Sequence, residues 1–201
     1  MYKFRELQKA ARKEIAGKEI RVAVLGNCAT QFFSEAIQGY GKISGLNLNV
    51  YDTDYNQIDA QLVDENSEVY AFHPDHILIW LATDKIYEEF LEMDMSSRSR
   101  FAELYMQKLE HYWSLIAAKS KAHVIQMNFT EINDKVLGNY SCKVESTFCY
   151  QIRKLNFLLQ EAMSKNGNIY PVDLLSLQIQ LGTKELYYAP LYYNAKMCID
   201  M

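Results

Sequence analysis

Arg21-Val22-Ala23-Val24-Leu25-Gly26-Asn27-Cys28-Ala29-Thr30-Gln31-Phe32-Phe33 is the stretch from which the rest of the chain is read. Residues 21–25 are short and apolar after Arg21, with no polar alternation. That is the pattern of a strand covered on both faces. Gly26 then permits a sharp turn or a close backbone approach. Residues 30–40 follow with Phe32, Phe33, Ala36 and Ile37 at helical spacing. A strand, a glycine turn and a helix in that order open an α/β unit.

The same alternation continues outward. Strand-sized apolar runs occupy residues 20–25, 46–51, 76–82, 122–127 and 168–172. Helical patterns fall at 30–40, 57–64, 100–119, 144–165 and 174–181, and Gly167 and Gly182 stand as stops behind the last two. Residues 3–16 form an amphipathic pattern of Phe4, Leu7, Ala11 and Ile15, closed by Gly17. The expected fold is a doubly wound, flavodoxin-like five-stranded parallel sheet of order 2-1-3-4-5, with helices on both faces. Residues 1–18 are expected to be a helix packed on a domain of residues 19–201. Ligands of such sheets bind beyond the carboxyl ends of the strands, near the switch point beside strand one. The loops to search are therefore 26–30, 52–57, 83–85, 128–130 and 173 onward. The short patch Ser96-Ser97-Arg98-Ser99-Arg100 reads as a solvated cap before the 100–119 helix.

Bulk composition sets limits. The chain has 201 residues, 49% hydrophobic and 23% charged, which suits one globular domain. A formal net charge of −4 removes the basic footprint of phosphate-driven nucleic-acid binding. No stretch has the apolar length of a membrane span, and the basic amino-terminal segment lacks the apolar core of a signal peptide. A cytoplasmic location is the resulting expectation. The last ten residues, 192–201, stay apolar, which leads us to expect a piece of a longer protein. The cysteines are Cys28, Cys142, Cys149 and Cys198, with no CxxC pair. Cys142, Cys149 and Cys198 are expected to be buried or half-buried thiols, with Cys28 the exception because of its position.

Cys28 lies at or just before a helix amino terminus, where backbone N–H groups and the helix dipole favour a thiolate and could hold an oxyanion. A nucleophile and a small residue packed under the helix both fit this position. Gly26 and Thr30 share its loop, and Asn27 or Asn128 could add a side-chain amide to an oxyanion site. Asp52, Asp54, Tyr55, Asn56 and Gln57 form either a substrate-binding loop or a turn that caps the next helix. Thr83, Asp84 and Asp173 lie at strand ends on the same edge. A general base is harder to place. His73, His76 and His123 precede strands and His111 sits on a helix surface. No spacing of metal ligands stands out.

An ordered set of segments resembles one family. VAVLGNCATQFF (22–33), VYDTDYNQI (50–58), HPDHILIWLA (73–82), IQMNF (125–129), and YPVDLLSLQIQLG followed by YYNAK (170–196) resemble the N-terminal region of FkbH-like proteins, a domain similar to SGNH hydrolases. The resemblance implies that Cys28 stands where SGNH enzymes place a nucleophilic serine in a Gly-Asp-Ser motif. It implies a following HAD-type phosphatase domain with its own magnesium, and no cofactor in this chain. It also implies transfer of an acyl or glyceryl unit from a small phosphorylated or acyl donor, through a protein cysteine, to an acyl-carrier protein. The chain departs from SGNH enzymes at two motifs. Ala82-Thr83-Asp84 stands near the position of Gly-x-Asn-Asp, and no histidine follows Asp173. A thiol needs less help from a base than a hydroxyl, so transfer tolerates these losses better than hydrolysis. The alternative is a non-catalytic binding or scaffold module for the phosphatase domain.

Overall fold

The computed structural model of the chain describes residues 2–132, 134 and 136–186. The strands are β1 (Ile20–Gly26), β2 (Leu48–Asp52), β3 (His76–Trp80), β4 (His123–Met127) and β5 (Ile169–Val172). All pairings are parallel and the order is β2-β1-β3-β4-β5, as the apolar runs predict. The helices are α1 (Phe4–Ala11), α2 (Gln31–Ile43), α3 (Ile58–Val63), α4 (Glu68–Ala71), α5 (Thr83–Glu92), α6 (Phe101–Lys119), α7 (Phe148–Ser164), α8 (Leu174–Leu181) and α9 (Thr183–Leu186).

The period-2 geometry of strands sorts the core into two clusters. Ala23, Leu25, Ile77, Ile79, Val124 and Ile169 point to one face and meet Leu62 of α3, Phe90 of α5, Leu109 of α6 and Leu155 of α7. Val22, Val24, Leu78, Trp80 and Met127 point to the other and meet Phe33 and Ile37 of α2 and Leu174 of α8. Two buried glutamines tie the first layer together. The Gln151 amide accepts from the Ala102 N–H and donates to the Ser99 and Glu145 carbonyls. Gln126 accepts from the Trp113 indole.

Three expectations need correction. Residues 83–85 are the first turn of α5, not a loop. Its N-cap residue, Ala82, has no side chain that can cap, so the sequence carries no start signal. The first helix ends at Ala11 rather than continuing to residue 16. The Lys42 ammonium takes the Ala11 and Lys13 carbonyls there and turns the chain onward. The long helix starts at Phe148 rather than 144. Gly138–Lys143 is a separate 3₁₀ turn, and Thr147 caps α7 by accepting from the Tyr150 N–H.

Helix α1 lies on α2 at Gly39, where an added Cβ would stand 2.1 Å from the Leu7 carbonyl oxygen. At the other end of the sheet β5 is an edge strand containing Pro171. The Val124 and Asn128 N–H groups donate to the Asn168 and Val172 carbonyls. By strand alternation, Pro171 then faces away from β4, on the side where no further strand pairs among the described residues.

Candidate functional site

The carboxyl ends of β1, β2 and β3 converge on the Gly26-Asn27-Cys28 turn, which is hydrogen-bonded into its neighbours. The Asn27 N–H donates to the Trp80 carbonyl at 3.3 Å, and its side-chain oxygen accepts from the Ala82 N–H at 2.7 Å. The Gly26 carbonyl accepts from Asn56, whose φ of 56° is the left-handed conformation an asparagine tolerates. Thr53 adds two bonds to the Val24 carbonyl, from its N–H and its hydroxyl. A side chain at Gly26 would meet the Thr30 methyl at 2.6 Å. Thr30 and Ser34 donate to Asp52. Burial pushes that carboxyl up while the two hydroxyls pull it back.

Within this turn the Cys28 thiol is packed rather than presented. Cys28 is 1% exposed and belongs to the apolar cluster of Val24, Leu78, Trp80, Met127 and Leu174. Two of the thiol expectations are therefore overturned, since Cys28 is buried and Cys142 is exposed, while Cys149 is half-buried as expected. Cys198 lies outside the described residues. Position at a helix start located the turn correctly, but long-range packing by Trp80 and Leu174 decides exposure. The Asn27 side-chain nitrogen is buried without a hydrogen-bond partner. That is a costly state for an amide donor.

The other expected residues fall into separate groups. Asn56 and Gln57 are exposed at the end of the β2–α3 loop. The Thr130 hydroxyl donates to the Thr83 hydroxyl at 2.9 Å, linking the ends of β3 and β4. Asn128 donates to Asp173 at 2.7 Å and accepts from the Leu175 N–H. Asp173 caps α8, and bonds from the Ser176 hydroxyl and N–H and from Asn128 hold its carboxyl below the ordinary range. The histidines stand at the opposite edge or on the surface. His76 and His123 are register partners that open β3 and β4, His73 precedes them, and His111 is exposed on α6.

Two open clefts lie on the α5–α7–α8 side of the carboxyl edge. The larger, about 1100 Å³, is lined by Asp84, Thr130, Glu131, Cys142, Cys149, Arg153, Gln178 and Lys184 among others. The smaller, about 710 Å³, runs beside it along α7 and β5 and includes Asn128, Asp173, Phe157 and Ile179. Arg153 grips Glu131 with two bonds of 2.8 and 2.7 Å, and the pair lines both clefts. Gln178, 8% exposed, brackets the Glu131 backbone from both sides. Sequence reading missed Arg153, Glu131 and Gln178. The signal available was Glu131 just past strand four, together with Cys149 and Arg153 one helical turn apart on α7. Among the described residues no group of three or more His, Cys, Asp or Glu could hold a metal ion, and no helix is long and apolar enough to cross a membrane.

Comparison with known proteins agrees with this architecture. The family model described as FkbH, N-terminal domain, matches residues 21–201. A solved structure described as the N-terminal part of the protein BF1531 from Bacteroides fragilis, containing a phosphatase domain and complexed with Mg, superposes with a TM-score of 0.91 at 28% identity. The match covers 100% of this chain and 52% of that one, so the chain spans about half the length of its neighbour. No curated protein matches.

Proposed function

The chain belongs to the FkbH N-terminal domain family, and on that premise we propose that it is a binding and positioning module that works beside a phosphatase domain. The observation that carries this reading is the burial of Cys28 at 1% exposure inside an apolar cluster. To reach a donor, that thiol must leave its packing and loosen a turn held by Asn27, Asn56 and Thr53. Each such bond is worth about 1 kcal/mol. The accessible polar groups lie instead in the cleft of Thr130, Glu131 and Arg153, where a small phosphorylated or acyl substrate would sit. The neighbour, whose description names a phosphatase domain, extends about as far again beyond the matched region. Labelling of the folded protein with a thiol-reactive disulfide tests the reading. Cys142 should react at once, and Cys28 only after denaturant is added. Native labelling of Cys28 at the rate of Cys142 would refute it.

One observation favours a second reading, acyl or glyceryl transfer through Cys28. The buried side-chain amide of Asn27 has no acceptor, and it immediately precedes the thiol. An oxyanion beside Cys28 would supply one. In that reaction the Cys28 thiolate attacks the acyl carbonyl of an acyl phosphate and the Asn27 amide donates to the oxyanion. Collapse expels phosphate and leaves a thioester. An acyl-carrier thiolate then attacks the thioester, and Cys28 departs as the thiolate. Incubation with an acyl phosphate should give a hydroxylamine-labile adduct mapped to Cys28 and lost in Cys28→Ala. An adduct elsewhere, or none, defeats this reading and leaves the module reading standing.

A further inference from the structure

Cys142 and Cys149 are free thiols that line the same cleft of about 1100 Å³. Cys142 is exposed near the end of the 3₁₀ turn, its thiol 3.0 Å from the Asn139 carbonyl. Cys149 is half-buried in the first turn of α7. The segment between them is folded back on itself. The Thr147 hydroxyl lies 2.6 Å from the Ser141 carbonyl and 2.8 Å from the Val144 carbonyl, its one proton placed between the two acceptors. The residue before Cys142 thus touches the residue two before Cys149. The two thiols and Arg153 stand within electrostatic reach of one another.

We propose that Cys142 and Cys149 are a thiol-modification site, closing to a reversible disulfide at the mouth of the cleft by exchange with a low-molecular-weight disulfide. The exposed Cys142 gives up its proton and attacks one sulfur of the small disulfide. A mixed disulfide forms and one small thiolate leaves. Cys149 then gives up its proton and attacks the Cys142 sulfur, releasing the second small thiolate. The protein is oxidised by two electrons and the small disulfide is reduced to two thiols. Burial pushes the Cys149 thiol up, which makes it the poorer first nucleophile; in the second, intramolecular step proximity offsets its small thiolate fraction. A disulfide needs Cα atoms roughly 4.4–6.8 Å apart. Cys142 sits on the exposed 3₁₀ turn and Cys149 within α7, so any adjustment to that span falls to the turn. Closure would fasten that turn across the cleft and restrict entry.

Treatment of the folded chain with excess oxidised glutathione, followed by peptide mapping, tests this. The expected product has lost two hydrogens, retains no glutathione on Cys142 or Cys149, yields a linked Cys142–Cys149 peptide, and reverts with dithiothreitol. Cys149→Ser should instead trap one glutathione on Cys142. Three outcomes would overturn the proposal: glutathione retained on Cys142 in the unaltered chain, a bridge from either residue to Cys28 or Cys198, or no reaction at Cys149.

Discussion

Gly26→Ala isolates one contact at the turn. The added Cβ would stand 2.6 Å from the Thr30 methyl, while the next atoms, the Trp80 and Cys28 carbonyl oxygens, lie at 3.4 and 3.5 Å. Gly26 is not among the glycines of positive φ, so alanine meets no backbone strain there. Almost the whole cost therefore comes from one methyl group. Thr30 is 2% exposed and its hydroxyl is bonded to Asp52, so its side chain cannot rotate away freely. Overpacking of this kind costs about 1–3 kcal/mol. At this chain length that lowers Tm by about 2–4 °C per kcal/mol. Thr30→Ser keeps the hydroxyl and removes the methyl, at a cost of about 1 kcal/mol. With the methyl gone, Gly26→Ala should be nearly neutral, which gives a coupling of about 1–3 kcal/mol between the two positions. Urea denaturation of the parent, both single variants and the double variant, compared at a common m-value, measures this. Equal costs of Gly26→Ala in both backgrounds would refute the reasoning.

Two further outcomes follow from the packing. Gly39→Ala should destabilise the full chain by about 1–3 kcal/mol, because its Cβ collides with the Leu7 backbone. It should stabilise a chain lacking residues 2–17 by about 1 kcal/mol, the usual gain for alanine over glycine inside a helix. Thermal melts of the four proteins decide between these signs. Burial, with His123 close by and Asp75 opposing, holds the His76 imidazole below its ordinary value of 6.5. The unfolded chain then takes the proton more readily. Stability should be complete above about pH 6.5 and fall as the pH drops through that value. His76→Phe should flatten the fall, seen as converging urea midpoints at about pH 7.5 and about pH 5.5.

The sheet was legible in the sequence because its central strands β1 and β3 are buried on both faces and read as nearly unbroken apolar runs. Ala23-Val24-Leu25 and Ile77-Leu78-Ile79 could hardly be anything else once glycine and helical periods bracket them. Helix α5 was not legible. It starts after a gap of only two residues from β3 with no capping side chain, and only Thr83, Ile86 and Phe90 are buried. The Gly26 turn was visible because strand order fixes where it must lie. The state of Cys28 was not, because the side chains that cover it come from β1, β3, β4 and α8, far apart in sequence. The clefts were hidden for the same reason. Glu131 and Arg153 belong to separate elements, and only the β4-to-β5 crossover brings them together.

Pro171 has a consequence outside any single chain. An edge strand offers a row of backbone donors and acceptors to any extended peptide that meets it. Proline removes the donor from the middle of β5 on the side facing outward and costs no bond to β4. Another chain laid along this edge would find its central carbonyl without a partner and a pyrrolidine ring in its path. The protein can therefore keep Phe157 and Ile179 exposed beside that strand, at 61% and 76%, without also supplying a template for strand-by-strand accretion. Association on this side of the molecule is left to side chains, and the backbone cannot drive polymer growth here.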